Sequence, residues 1–379
     1  MKPFLFLLTL SASAFSADQI KVLETKTISQ QPEYYNGWPT LARKTDGTLM
    51  VAVSGGRHGH VCPFGRVEWM TSRDDGATWT FPRTILDTDM DDRDAGVLET
   101  PKGTLLVTTF TSTAYTIQLD LLKAGKPSNF VNETSLPAWQ AAHARLTDEQ
   151  RKAQLGEWVV RSTDAGRSWS PPIPTLVNSP HGPTALIDGR LLYVGKELWT
   201  EKKRIGVSES TDDGLTWRWL AEIPARPGDD VTEDYHELHA VQASNGQIIA
   251  HIRHHGKTNN KETLQTESSD GGKTWTEPHS IGVWGYPSHL LKLRDGSLLM
   301  SYGHRRKPIG NQARISRDNG KTWSAPLIIS GEAASGDLGY PSTVELNDGS
   351  LLTVWYEKMK DNVNAVLRQA RWTLEKQLP

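Results

Sequence analysis

The sequence has almost no cysteine: Cys62 is the one copy in 379 residues. No intramolecular disulfide can brace the chain, so its stability has to come from a packed core. Charge of a dominant sign is lacking too, with 42 lysines and arginines against 44 aspartates and glutamates. No basic tract offers a surface for nucleic acid. Past the N-terminus, no apolar run is long enough to cross a bilayer. Low-complexity linkers are missing as well, which leaves one continuous soluble unit, expected to be monomeric. The N-terminal exception reads MKPFLFLLTLSASAFSADQ, a lysine, an apolar run and then small residues. That is the pattern of a cleavable signal peptide over 1–16, and it predicts a secreted or periplasmic protein with a mature chain of 17–379.

What the sequence does have is a repeat. Five of its 14 tryptophans end copies of Ser-x-Asp-x-Gly-x-Thr/Ser-Trp: SRDDGATW (72–79), STDAGRSW (162–169), STDDGLTW (210–217), SSDGGKTW (268–275) and SRDNGKTW (316–323). An Asp carboxylate can bond nearby backbone amides and Gly tolerates positive φ, so each copy reads as a hairpin turn with Trp packed under it. A second phrase alternates with the first, a turn followed by a two-periodic apolar strand. Its six copies are DGTLMVAV (46–53), KGTLLVTTF (102–110), DGRLLYVG (188–195), NGQIIAHI (245–252), DGSLLMSY (295–302) and DGSLLTVWY (348–356). They recur at roughly 50–57 residues, apart from one longer interval.

Each unit supplies about four short strands, and six units closed in a circle make an all-β, six-bladed β-propeller with Asp-box hairpins. Closure leaves no long sheet edge exposed. The sixth turn has no Asp box, which predicts a split blade: the strand near Ile20–Ile28 should pair with the C-terminal NAVLRQARWTL (364–374). The long interval carries an insertion at about 115–157, in which LPAWQAAHARLTDEQRKAQL (136–155) reads as helical with Thr147 as a cap.

Aligned on the turn glycines, the innermost strands begin at Trp38, Asp94, His181, Glu237, Tyr286 and Tyr340. Seven to ten residues after the same glycines stand Arg57, Glu197, Arg253, Arg305 and Glu357. Two rings of polar groups around one end of the axis are expected to bind a ligand. The histidines of HIRHHG (251–256) lack a clear third partner for a metal, and no residue set points to a cofactor.

Asp boxes joined to this strand phrase resemble the sialidase (neuraminidase) superfamily over nearly the whole mature chain. In HELHAVQASNGQIIAHIR, Glu237 and Arg253 match that family's Glu-x-x-x-V-x-x-x-D-G…Arg segment, and Tyr340 and Glu357 match its Tyr-Ser…D-G…Tyr-Glu segment. The resemblance implies a retaining exo-α-sialidase with Tyr340 as nucleophile and Glu237 as the base that activates it. A phenol suits a substrate whose anomeric carbon bears a carboxylate, because an anionic nucleophile would meet like charge. With a pKa of about 10 it needs a base. Arg57, Arg253 and Arg305 are the expected carboxylate clamp, with Trp38, His181 and Glu357 as further substrate contacts. Sialylated or other acidic glycans and glycoproteins are the partners this implies.

The chain also departs from the family pattern. Gly37 stands where the first clamp arginine is expected, and the loop RHGHVCPFGR (57–66) has no acid/base aspartate. It offers His58 and His60 instead. His60 is one candidate general acid, and Asp92 or Asp94 from DMDDRDAG is the other. The third arginine is ambiguous among Arg305, Arg306 and Arg314. A hydrolase or lyase for another acidic or neutral sugar and a non-catalytic glycan-binding propeller are the competing readings. Tyr340 as a plain packing residue is a further one, since Tyr286 shares its phrase.

Overall fold

All six turn glycines of the second phrase, Gly47, Gly103, Gly189, Gly246, Gly296 and Gly349, have φ between 81° and 90°, a region that side-chain-bearing residues seldom enter. Each closes a hairpin between the two innermost strands of a four-stranded antiparallel sheet, and there are six such sheets. The computed structural model describes residues 18–375 other than 258 and 260, so the expected signal segment at 1–16 lies outside the described residues. The sheets form a six-bladed β-propeller whose innermost strands are Tyr35–Arg43, Asp91–Glu99, Thr184–Ala185, Tyr235–Gln242, Ser288–Lys292 and Leu338–Glu345.

The sixth blade is split as expected. Gln19–Thr27 pairs antiparallel with Ala365–Glu375, from Gln19 with Glu375 to Thr27 with Arg368 with one bulge between Val22 and Glu24, and so ties the first strand to the last. Lys21, Glu24 and Lys26 charge this outer edge, which discourages pairing with another chain. Where the first and sixth blades meet, Trp38, Leu41, Val51 and Val53 pack against Val344, Leu352, Val354 and Leu367.

The five Asp boxes share one bonding scheme. In the first, Ser72 Oγ donates to Asp74 at 2.7 Å and accepts from the Gly76 amide at 2.9 Å, while Asp74 accepts from the Thr78 amide and hydroxyl at 2.9 and 2.6 Å. Those donors hold the Asp74 carboxyl down at about 2. The box tryptophans reach further than the turn. Trp79 Nε1 donates to Gln369 on the sixth blade, Trp169 packs edge-on against Trp69 on the first, and Trp323 Nε1 donates to Gln265 on the fourth. These boxes therefore stitch neighbouring blades together.

In the long interval, helices Thr116–Lys123, Leu136–Ala144 and Asp148–Ala153 lie between two strands of the second blade. Thr147 caps the last of them in a reciprocal capping box with Gln150. The insertion packs Tyr115, Leu119, Val131 and Trp139 around Cys62, so it rests on the loop that carries His58 and His60.

Three innermost strands begin with a kink. Trp38, Asp94 and Tyr340 have φ of 55°, 53° and 54°, and each lies at a register shift in its blade. A fourth shift falls between Tyr235 and Leu238, beside Glu237. Such bulges re-aim a side chain at the cost of local strain, and here they coincide with the residues that meet around the axis.

Candidate active site

Glu237 and Tyr340 come from blades four and six, 103 positions apart in the chain, and their side chains meet: Tyr340 Oη donates to Glu237 Oε1 at 2.7 Å. Arg253, one strand out from Glu237, donates from Nη1 to the same carboxylate oxygen at 2.7 Å and to Tyr340 Oη at 3.2 Å. Burial works against the charged form of Glu237, but Arg253, His236 and the Tyr340 hydroxyl outweigh it and hold the carboxyl at about 2. For Tyr340, burial and then the Glu237 charge push the phenol well above its ordinary value, against a smaller opposing pull from Arg253. The resting pair is thus a neutral phenol on a carboxylate that can take its proton. Glu237 and Arg253 side chains keep 18% and 14% of their surface, so the cluster is open to solvent at one end.

Asp94 enters from the second blade. It is buried, its Oδ1 has no hydrogen-bond partner among the described residues, and burial raises it to about 7 against the smaller opposing effect of Arg93. A carboxyl that holds its proton near neutrality is suited to donate it. Burial raises Asp92, the alternative acid in the same stretch, as well, to about 8, but its two oxygens are taken up by the Thr88 amide and hydroxyl at 2.8 and 3.0 Å, whereas Asp94 has an oxygen free.

Sequence reasoning missed Arg93. Its guanidinium lies 4.4 Å over the Trp38 ring, makes no hydrogen bond among the described residues, and has a buried Nε without a partner. Trp38 also lies edge-on to Tyr340, ring centroids 6.4 Å apart. Gly37 stands where an arginine is expected on that strand, and a Cβ there would lie 3.0 Å from the Tyr35 ring, so a larger residue would require that ring to shift. Arg93 immediately precedes Asp94 in DMDDRDAG, and that adjacency to an inner-ring residue is its one signal in the sequence.

Arg305 is the member of its ambiguous trio that reaches the cluster. It donates to the Leu338 carbonyl at 3.1 and 2.8 Å and lies 5.1 Å over the Tyr286 ring, which also carries Arg253 at 4.1 Å. Arg306 is exposed and stacks on Trp284, while Arg314 bonds Tyr302 and the Ser324 carbonyl.

Three expected ligand contacts are placed elsewhere. Arg57 is fully buried and paired with Asp91, and it also donates to the carbonyls of Gly59 and His60 at 3.3 and 3.1 Å. It braces the His60 loop and has no donor to spare for a substrate. Gly65 permits this, since a Cβ there would collide with both partners of the pair. Glu357 turns away because strand side chains alternate. It accepts from Trp355 Nε1 at 2.8 Å and Arg368 Nη1 at 3.0 Å, while its neighbour Tyr356 packs on Tyr340 with ring centroids 5.9 Å apart. His181 is buried beneath the cluster, its ring 6.4 Å from that of Tyr340 and 5.4 and 5.1 Å from those of His239 and His289. With them it lines an axial cavity whose rim residues Arg43, Lys292 and Glu345 lie at the turn end of the inner strands, opposite Tyr340.

His60 stands at the edge of the cluster. Its Nδ1 lies 2.8 Å from Tyr35 Oη and 3.2 Å from Asp337, and its ring is edge-on to Trp38 at 5.0 Å. Burial lowers its pKa, against a smaller raising effect from Asp337, so it is mostly neutral at pH 7 and a poorer proton donor than Asp94. His58 packs on Phe64, away from Tyr340. Among the described residues, the one group with metal-like spacing is Asp229, Asp234 and His254. Arg226 bonds Asp229 at 2.9 Å and approaches His254 Nε2 at 3.3 Å, so a fixed cation already balances that charge.

A six-bladed Asp-box propeller with tyrosine, glutamate and arginine gathered at one end of its axis defines a divergent, sialidase-like class of protein. The chain belongs to the BNR repeat-like domain family, whose model matches residues 15–231 and 132–353. No curated protein matches it. A solved protein of unknown function from Dyadobacter fermentans is similar at 22% identity and TM-score 0.74, covering 94% of this chain and 99% of that one. A Hadza microbial sialidase is similar at 17% identity and TM-score 0.62, covering 89% of this chain and 65% of its own. The NanB sialidase of Streptococcus pneumoniae is similar at 14% identity and TM-score 0.62, with coverages of 93% and 70%. At these identities the likeness is one of fold. The chain spans about two thirds of the length of these two sialidases.

Proposed function

We propose that the protein is an exported exo-α-sialidase that releases terminal sialic acid, or a closely related acidic sugar, from glycoconjugates with retention of configuration. The observation that carries this reading is the 2.7 Å hydrogen bond from Tyr340 to the carboxylate that Arg253 also holds. A phenol bonded to a glutamate that is ionised at rest is a nucleophile with its base in place. Arg93, Arg253 and Arg305 surround the reacting position and would bind the substrate carboxylate. Their planar forks match it in geometry and charge.

In the first step Glu237 takes the phenolic proton as Tyr340 Oη bonds to the anomeric carbon. The bond to the leaving oxygen breaks, and that oxygen takes the proton of Asp94. In the second step the Asp94 carboxylate removes a proton from water, which attacks the same carbon. Tyr340 leaves and recovers its proton from Glu237. Two displacements on one carbon give retention.

Incubation with a fluorogenic α-sialoside, followed by proton NMR of the first-formed anomer, tests this directly. Release of the α-anomer is expected. Release of the β-anomer would overturn the retaining mechanism, and no release from any sialoside or acidic glycoside would overturn the enzyme reading. The aspartate-free loop at 57–66 favours one variant, a substrate acidic at the anomeric carbon but different from sialic acid elsewhere. A panel of acidic aryl glycosides separates the two.

A further inference from the structure

The helical insertion builds a second feature beside the catalytic cluster. Between it and the His58–His60 loop lies a cavity of about 310 Å3 whose lining includes Tyr35, His60, Phe130, Asn132, Asp337 and Lys358. Phe130 is 38% exposed on this wall, although exposed phenyl surface forfeits burial free energy. The exposure is built in. Ser128 Oγ accepts from the amides of Phe130 and Val131, both at 3.1 Å, and donates to Gln118 at 2.9 Å. The next residue, Val131, is buried beside Cys62 and Trp139. The turn is therefore fixed on both sides with its aromatic ring held outward.

A continuous run of rings joins this wall to the nucleophile. Phe130 lies 6.3 Å from His60, His60 lies 5.0 Å from Trp38, and Trp38 lies 6.4 Å from Tyr340, all between ring centroids. The lining includes no arginine, and its one carboxylate, Asp337, is already bonded to Tyr35 at 2.9 Å and to His60 at 3.2 Å. Lys358 is the one cation of the lining and stands against the one carboxylate, so the site carries no net charge and suits a neutral group. Its volume sits at the lower end of the ~300–1,000 Å3 typical of small-molecule sites, enough for one or two sugar rings.

We infer that this cavity is the subsite for the leaving-group side of the scissile bond and takes a neutral hexose, the C–H face of the pyranose resting on Phe130. The inference rests on the exo-glycosidase reading, which sets the terminal acidic sugar at Tyr340 and the remainder of the glycan toward His60. The insertion, absent from the other five blades, thereby acts as a specificity element.

Lactose is the probe, because it carries a neutral hexose and no acidic sugar. Its binding to the full chain is followed by saturation-transfer NMR for wild type, Tyr340→Phe, Phe130→Ala and Phe130→Trp. Wild type, Tyr340→Phe and Phe130→Trp should bind with similar affinity, near a millimolar Kd, and Phe130→Ala should weaken binding about tenfold or more. Absence of binding to wild type, or unchanged binding in Phe130→Ala, would overturn the subsite. Lactose binding at Phe130 without turnover of any acidic glycoside would keep the sugar site and remove the enzyme reading. Turnover of an aryl sialoside without lactose binding would do the reverse.

Discussion

Tyr286 and Tyr340 occupy the same Gly-Tyr-Pro-Ser phrase on adjacent blades, yet the fold gives them different work. Tyr340 sits at a kink with φ of 54° and puts its hydroxyl 2.7 Å from Glu237. Tyr286 has no such kink, and its ring forms the platform under Arg253 at 4.1 Å and Arg305 at 5.1 Å. The repeat delivers an aromatic residue to the axis in both cases. Bulges and neighbouring blades then decide whether its hydroxyl or its face is used. The two tyrosines are complementary parts of one site: one offers a phenol, and the other holds the cations that border it.

The sharpest break in that comparison is a pair of identical substitutions. Tyr340→Phe should lower kcat on a fluorogenic sialoside by roughly 10^3-fold or more. Tyr286→Phe, which keeps the platform ring, should stay within about threefold of wild type. Equal losses in both would collapse the distinction.

Asp94→Asn tests the acid opposite Tyr340. It should cost roughly 10^2–10^4-fold on substrates with a poor leaving group, and less on aryl glycosides, whose phenolate leaves without help. The wild-type pH–rate profile should fall as pH rises through about 7, where Asp94 loses its proton, and that limb should vanish in the variant. Stability follows the same group. Its folded pKa of about 7 exceeds the ordinary carboxyl value of about 4, so its favourable contribution is complete below pH 4 and lost as pH rises through 7. Asp94→Asn should therefore raise Tm over wild type at pH 8, with the gain shrinking toward pH 4.

Tyr286→Ala sharpens the platform half. Removing the ring beneath two guanidinium groups should raise KM about tenfold with a smaller change in kcat, since each cation–π contact is worth roughly 0.5–2 kcal/mol. The smallest kinetic effect belongs to Glu357→Gln. It should leave kcat/KM within about twofold while lowering Tm, because this carboxylate serves Trp355 and Arg368 between strands. A large kinetic loss there would return Glu357 to the site.

The blades were legible because their signals are local. The Asp box closes its own turn through Ser72, Asp74 and Thr78, and each Asp-Gly or Asn-Gly turn fixes its own hairpin. The split blade was legible for a related reason, since a missing box in a closed ring leaves one place for the first strand. The site was less so. Tyr340, Glu237 and Arg253 could be picked out by alignment within the chain. Arg93 and Asp337 carry no repeat signature, and their surroundings come from other blades. Glu357 and Arg57 occupy repeat positions that look inward on paper, but strand alternation and a buried partner turn them elsewhere.

What the sequence determined by itself was the number of blades, their closure and the one tyrosine–glutamate–arginine combination worth betting on. Each rests on contacts between residues close in the chain or on a phrase repeated along it. Only the tertiary structure decided which arginine bonds the phenol, which buried carboxyl keeps an oxygen unpaired and where the insertion lies. Those depend on burial and on distances between side chains from different blades, such as the 103 positions that separate Glu237 from Tyr340, and no local spacing encodes them.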